Sequence, residues 1–351
     1  MTSRTTRLPL SSTARWIIGL SAAIVVAGVI VVWWAIVAQN GAAQDAAASD
    51  SPAETTEPAT TGAPTPSGVL PAETEMGVVT IAARDLDTMT RYYRDIVGLT
   101  VLEESDEAAV LGVDGPLIRL ESTDAGADDP RSAGLYHSAI LFDDAPSLAR
   151  TLVNIAQLAP ESYQGSADHA VSLAFYAVDP EGNGVELYVD QPRKEWVWED
   201  GQVVMGSAML DPNQFIDENL EGDASGTATM GHVHLRVGDL DTARAFYSDV
   251  LGFDVTAEAD GALFYSAGGY HHHLATNTWQ SAGAGARDES AGLRGITVAV
   301  PAASDLEALI VRLTDAGIEH SAAEGSVITA DPWGNAVRSY WVDGASRRSV
   351  A

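Results

Sequence analysis

The sequence predicts an α+β fold of four βαβββ modules, and two observations predict it: internal repetition and a shared order of periodicities. The segment Asp85-Leu86-Asp87-Thr88 … Tyr93 … Asp95 … Gly98 … Val101 returns at constant offset as Asp239-Leu240-Asp241-Thr242 … Tyr247 … Asp249 … Gly252 … Val255. The residues ahead of it align too, Met76-Gly77-Val78-Val79 with Met230-Gly231-His232-Val233. A second pair sets Gly134-Leu135-Tyr136-His137 against Gly292-Leu293-Arg294-Gly295. It continues as Asp179-Pro180-Glu181-Gly182-Asn183-Gly184-Val185-Glu186 against Asp331-Pro332-Trp333-Gly334-Asn335-Ala336-Val337-Arg338.

Each copy runs from an alternating stretch to a helical one and then to short strands. In the third, Gly231 to Val237 alternates apolar and polar residues, as a half-buried strand does. Asp239 or Asp241 caps a helix whose apolar side is Ala243, Phe246, Tyr247 and Val250, and Gly252 stops it. Phe253 to Glu258, Ala262 to Ser266 and His271 to Thr276 then read as strands, with Gly268-Gly269 as a turn. The first copy reads likewise, its helix burying Met89, Tyr92, Tyr93, Ile96 and Val97. The second opens with Tyr136 to Phe142, forms a helix near Ser147 to Gln157, and ends in a hairpin of Val171 to Val178 and Gly184 to Val189. The fourth opens with Gly295 to Val300, has a helix at Ser304 to Ala316 and turns its last hairpin at Asp331 to Asn335. Acidic, Gly-rich stretches at 121 to 134 and 281 to 292 read as loops that shape entry to a site.

The copies differ at metal-type positions. The second and third carry His137, Glu186 and His232 where the first and fourth carry Gly295, Arg338 and Val78. Two imidazoles and one carboxylate are the complement of one mononuclear site. His234 shares a strand face with His232 and competes with it as a ligand.

At 351 residues and 46% hydrophobic content the chain has room for about two domains. A net charge of −30 argues against nucleic acid as a partner of the folded part. Cysteine is absent, so disulfides, iron–sulfur clusters and thiol catalysis are excluded, and any metal binds through His, Asp or Glu. Residues 16 to 38 carry no charge, long enough for a transmembrane helix. Arg4, Arg7 and Arg15 in segment 1–15 put the N-terminus in the cytoplasm and the globular part outside the cell membrane. A cleavable signal peptide is the rival, disfavoured by the length of the run. Residues 39 to 75, rich in Ala, Thr, Pro, Asp and Glu, read as a disordered tether. The expected organisation is then modules one and two in 76–200, a connector at 201–229, modules three and four in 230–343, and a tail at 344–351.

The repeats and the DPxGNxxE hairpin resemble the vicinal oxygen chelate superfamily of glyoxalases, bleomycin resistance proteins and extradiol dioxygenases. More narrowly, Met230-Gly-His-Val-His-Leu, Ser266-Ala-Gly-Gly-Tyr-His-His-His273 … Asn277-Thr278-Trp279 and Gly134-Leu-Tyr-His137 resemble bacterial catechol 2,3-dioxygenase-like proteins. The resemblance covers residues 76 to about 343. It implies modules paired into two half-open, cup-shaped barrels, with a ligand early in the first strand of a module and a carboxylate on the last. These positions fall on His232, His137 and Glu186. The three share one cup only if module two pairs with three and module one with four. Pairing in sequence order would split them.

The resemblance further implies Fe(II), with Mn(II) as the alternative, a catechol-like aromatic substrate chelating through both oxygens, and O2. It puts His272 on the oxygen side, Tyr176 on the substrate and His169 as a second acid–base residue. Strand alternation over 271 to 273 would send His272 to one face and its neighbours to the other. A glyoxalase-type isomerase or lyase is one rival, although such sites generally use four protein ligands. A metal-free module that binds a small molecule is another. Trp196, Trp198 and Trp279 suit packing or a cover over the cup, and homo-oligomerisation is left open.

Overall fold

The computed structural model describes residues 69–342. The expected helix at 16–38 and most of the tether at 39–75 lie outside them, as does the tail at 344–351. Among the described residues no helix is long and apolar enough to cross a membrane. The tether gives way to packed chain before Met76. Leu70 is buried in the core and its N–H donates to the Gly252 carbonyl at 3.3 Å. Burial of Leu70 holds that end down, together with Thr74, also buried, and Ala72 against Gly268.

Module one is β1 (Glu75–Ala83), α1 (Leu86–Arg91), β2 (Thr100–Glu104), β3 (Ala108–Gly112) and β4 (Pro116–Ser122). Module two is β5 (Gly134–Phe142), α2 (Ala145–Leu158), β6 (Tyr163–Asp168), β7 (Ser172–Val178) and β8 (Gly184–Asp190). The segment that follows carries β9 (Trp198–Glu199), β10 (Gln202–Val203), β11 (Ala208–Met209) and α3 (Pro212–Asn219). Module three is β12 (Ala228–Arg236), α4 (Leu240–Arg244), β13 (Asp254–Ala259), β14 (Ala262–Ser266) and β15 (Leu274–Asn277). Module four is β16 (Gly292–Val300), α5 (Ala303–Asp315), β17 (His320–Ala323), β18 (Ser326–Ala330) and β19 (Ala336–Trp341).

The strands form two large sheets. One runs β17-β18-β19-β16-β1-β4-β3-β2 and the other β11-β6-β7-β8-β5-β12-β15-β14-β13. Modules one and four therefore share a sheet, and so do two and three, as the distribution of metal-type residues requires. In each sheet the opening strands join antiparallel, β1 with β16 and β5 with β12. The stretches 76–200 and 230–343 do not each own a sheet, because each sheet takes one module from each stretch.

Helix starts follow the sequence. Asp85 and Asp239, rather than Asp241, accept the amide hydrogens of Thr88 and Thr242. Both helices widen into a π-helical turn, Tyr92–Val97 and Ala245–Val250, and the chain then passes through Gly98 (φ 90°) and Gly252 (φ 97°). The side chains of Asp179 and Asp331 close the two hairpin turns by accepting from the backbone and side chain of Asn183 and Asn335. A continuous apolar core fills the space between sheets and helices, from Val79 and Ile81 through Leu148 and Ile140 to Val233 and Leu309. The two expected loops meet: Asp128 pairs with Arg236 and Arg287, and Arg287 also donates to the Leu293 carbonyl at 2.6 Å.

One expected strand is shorter than the pattern suggested. Residues 271–273 are irregular, and β15 begins only at Leu274. Gly268 and Gly269 both lie at positive φ and turn the chain, and Thr256 takes the His271 carbonyl at 2.6 Å, outside any ladder. Alternation therefore does not govern the three histidines, and all three are buried.

Candidate metal centre

Three neighbouring strands, β8, β5 and β12, supply the site. Pairing puts Glu186 opposite Ala139, and Ala139 opposite His232, so one row across the sheet reads Glu186–Ala139–His232. His137 lies two residues earlier on β5, on the same face. Ala139 is fully buried, and its small side chain leaves the space over which its neighbours converge. Gly184, beside His137, is also required: a Cβ there would lie 2.9 Å from the His137 Cβ and 2.2 Å from the Tyr136 carbonyl.

His137 Nε2 lies 3.0 Å from Glu186 Oε2, and His232 Nε2 lies 3.2 Å from the same oxygen. The three ligand atoms lie within 4.8 Å of one another, and no other such group occurs among the described residues. His137 Nε2 makes no hydrogen bond despite that short approach, so it faces the carboxylate without being aligned for proton sharing. Separations of 3.0 and 3.2 Å bring the two ring nitrogens and the carboxylate oxygen close enough for one ion to be shared among them. Protonation states agree with a ligand set. Burial pushes His232 down to about 4, leaving its imidazole neutral at pH 7. Burial alone would raise Glu186, but His232 and His137 beside it hold the carboxyl well below the ordinary range. A neutral His232 imidazole, a buried carboxylate and an unsatisfied ring nitrogen on His137 together fit a divalent metal.

His232 Nδ1 is buried and has no hydrogen-bond partner. Its ring is held instead between Tyr188 and His272, at centroid distances of 5.0 and 4.1 Å. His234, the competing ligand, is turned to another task. Its Nε2 accepts from Asn277 Nδ2 at 3.0 Å, and its ring contacts Tyr136, His137 and Trp279.

A model of the Glyoxalase/Bleomycin resistance protein/Dioxygenase superfamily matches residues 75–187 and 229–338. The chain belongs to that superfamily. A "Catechol-2,3-dioxygenase" of Bacillus subtilis (strain 168) is 37% identical to it over 273 residues, 74% of this chain and 94% of the relative. Among solved structures, a putative dioxygenase from Bacillus subtilis subsp. subtilis str. 168 has a TM-score of 0.55 at 11% identity, covering 78% of this chain and 87% of its own. Glyoxalase I from Zea mays has a TM-score of 0.45 at 18% identity, covering 76% and 92%.

In this superfamily member the remaining predicted residues fall on two sides of the triad. Tyr176 pairs with Glu186 across β7 and β8, and its ring lies 5.8 Å from that of His137. Its hydroxyl bonds His169 Nε2 at 2.7 Å, while His169 Nδ1 bonds the Gly206 carbonyl at 2.7 Å. A carbonyl only accepts, so Nδ1 carries a proton, and in the neutral ring Nε2 then accepts from the tyrosine. Ala170, at φ 67°, makes the left-handed turn next to His169, held by its N–H on Asp168. Burial, reinforced by the Glu186 charge, raises the Tyr176 phenol well above its ordinary range, so the group is a neutral donor at pH 7. On the other side, His272 lies against His232 and, at 5.1 Å, Phe264.

Sequence reasoning gives further residues at the site no role beyond their place in a motif or strand, or, for Trp279, packing or covering. Asn277 fixes His234, Tyr188 packs on His232, and Tyr136 and Trp279 wall the cup at 5.4 Å from each other. The stretch after β8 crosses the cup: Trp196, Trp198 and Val203 pack with Val171, in the turn before β7, and with Ala257 of the edge strand β13 and Tyr270. Two of the three tryptophans expected to pack or cover the cup thus lie in this crossing stretch.

Proposed function

We propose that the protein is a non-haem Fe(II)-dependent extradiol dioxygenase that opens a catechol-like aromatic ring with O2. The observation that carries this reading is the convergence of His137, Glu186 and His232 in one cup, between Tyr176–His169 on one side and His272 on the other. The likeness to the Bacillus subtilis catechol-2,3-dioxygenase supports it. Three protein ligands leave sites open for a bidentate substrate and O2.

His137, Glu186 and His232 would hold the metal. Bound Fe(II) would supply a centre that holds both vicinal oxygens of the catechol beside O2, so that the ring opens next to its hydroxyls. The protein supplies the rest. The Tyr176 hydroxyl spends its proton on His169, which leaves its oxygen lone pairs turned to the cup as an acceptor for a catechol hydroxyl. A proton taken up there passes to His169 Nε2, at the rim. Burial lowers His272 well below its ordinary value, so this imidazole enters the reaction neutral, as an acid–base group on the opposite side. Tyr136, His234 and Trp279 form an aromatic wall for the ring, and the crossing stretch around Trp196 and Trp198 excludes water.

Anaerobic loading of the full chain with Fe(II), then catechol and O2, tests this. A yellow ring-opened semialdehyde supports extradiol cleavage. Stoichiometric iron with no product from a panel of catechols would reject the reaction while leaving the metal centre. Mn(II) in place of Fe(II) is decided by which ion restores turnover. We further propose that the uncharged run at 16–38 anchors the chain in the cell membrane with the globular part outside. Recovery of the full chain in the soluble fraction, or protection of the globular part from external protease, would reject that.

A further inference from the structure

We infer that Asp190 and His271 are positioning residues that set the tautomer of His272, fixing its proton on Nδ1 and presenting a bare Nε2 as an acceptor beside the metal ligands. The inference goes beyond the proposed reaction and rests on it only for what His272 then does.

A run of hydrogen bonds leads inward from the protein rim. Glu186, Tyr188 and Asp190 alternate along β8 and face the same way. Asp190 ends the strand with its side chain 24% exposed, and its Oδ1 accepts from Tyr270 Oη at 3.1 Å and faces His271 Nε2 at 3.0 Å. A carboxylate has no proton to give, so His271 Nε2 carries the hydrogen. His271 is fully buried, and its Nδ1 lies 2.8 Å from His272 Nδ1. Two imidazole nitrogens at that distance share one proton. In neutral His271 the Nε2 proton is committed to Asp190, so Nδ1 is bare and the shared proton belongs to His272 Nδ1. Neutral His272 then has no hydrogen on Nε2.

The surroundings hold this chain of bonds in place. Tyr188 Oη bonds Tyr270 Oη at 2.9 Å, the rings of Tyr270 and His271 stack at 4.0 Å, and Trp196 closes on His271 at 5.2 Å. The Arg193 guanidinium lies 5.0 Å over the Tyr270 ring. The Thr256 hydroxyl takes the His271 carbonyl. Without the Asp190–His271 pair nothing described here would select Nδ1 of His272 over Nε2 as the protonated nitrogen. A carboxylate that orients one imidazole through another acts as outer support does for metal-site histidines.

The test is a long-range proton–nitrogen correlation spectrum of the metal-free, 15N-labelled full chain at neutral pH, with His272 identified by its loss in His272→Gln. The expected result is His272 protonated on Nδ1 and bare on Nε2, and His271 protonated on Nε2. In Asp190→Ala and His271→Leu the His272 Nδ1–H pattern should be lost. His272 protonated on Nε2 in the unsubstituted protein would overturn the inference without recourse to any variant. An unchanged His272 pattern in a folded Asp190→Ala protein would also overturn it. Neither readout needs metal or substrate, so a protein that keeps the tautomer but cleaves no catechol would reject the proposed reaction and leave this inference standing.

Discussion

The Tyr93 hydroxyl, on the helix of module one, donates to Asp179 in the last hairpin of module two at 3.1 Å, and Tyr247 repeats the bond with Asp331 at 2.7 Å. Sheets join module two to three and one to four, whereas these bonds join one to two and three to four. The four modules are thus linked in both senses. This accounts for Tyr, Asp and the hairpin surviving in copies that have lost every metal-type residue.

Tyr93→Phe should therefore destabilise the fold. Burial raises Asp179 to about 6, so it is a buried anion at pH 7 and the lost bond is a charged one. A loss of about 2 kcal/mol in denaturant unfolding is expected. Tyr247→Phe should cost a similar amount, and a change below about 0.5 kcal/mol in both would show that the bonds do not link the modules.

His273 should make the protein acid-sensitive. Its Nδ1 accepts from the Ala267 N–H, and burial pushes it down to about 3 from an ordinary 6.5. Between those values the unfolded chain binds a proton that the folded chain does not. Its stabilisation is complete above about pH 6.5 and is lost as pH falls. The thermal midpoint should drop from pH 7 to pH 5, and drop less in His273→Asn, which keeps an acceptor but does not titrate. Parallel pH curves for the two proteins would count against this.

Tyr176→Phe removes the hydroxyl between the cup and His169. Turnover of catechol should fall about 100-fold, the lower range for a lost acid–base group, with metal content unchanged. His169→Gln should give a similar loss, and the double variant little more, because the two act as a unit. Multiplying losses in the double variant would separate their roles.

His234→Ala should keep full metal occupancy, since its Nε2 is engaged by Asn277. Loss of the metal in this variant would make His234, not His232, the ligand on β12.

Much of this was legible because the chain repeats itself. An offset comparison isolates His137, Glu186 and His232 against Gly295, Arg338 and Val78, and the chemistry of one metal site then dictates which modules share a sheet. Local chemistry also read correctly at Gly252 and the Asp179 turn, and narrowed the helix cap to Asp239 or Asp241, of which the structure uses Asp239. What did not read was long-range. Asp190 lies 81 residues from the His271 it bonds, and nothing in either neighbourhood announces the pair. The irregular course of 271–273 follows from the two positive-φ glycines before it and a tertiary bond from Thr256. The packed end of the tether rests on Leu70 and Thr74, both buried, which a polar, Pro- and Ala-rich run does not single out.

One candidate metal centre is built across modules two and three from His137, Glu186 and His232. Its most direct test is the metal content of His232→Ala after anaerobic loading with Fe(II), beside His137→Ala, Glu186→Ala and the degenerate-position variants Val78→Ala and Arg338→Ala. About one iron per chain is expected in the unsubstituted protein and in the last two, and none in the first three. Full occupancy in His232→Ala would contradict this, because the metal would then belong to module two alone.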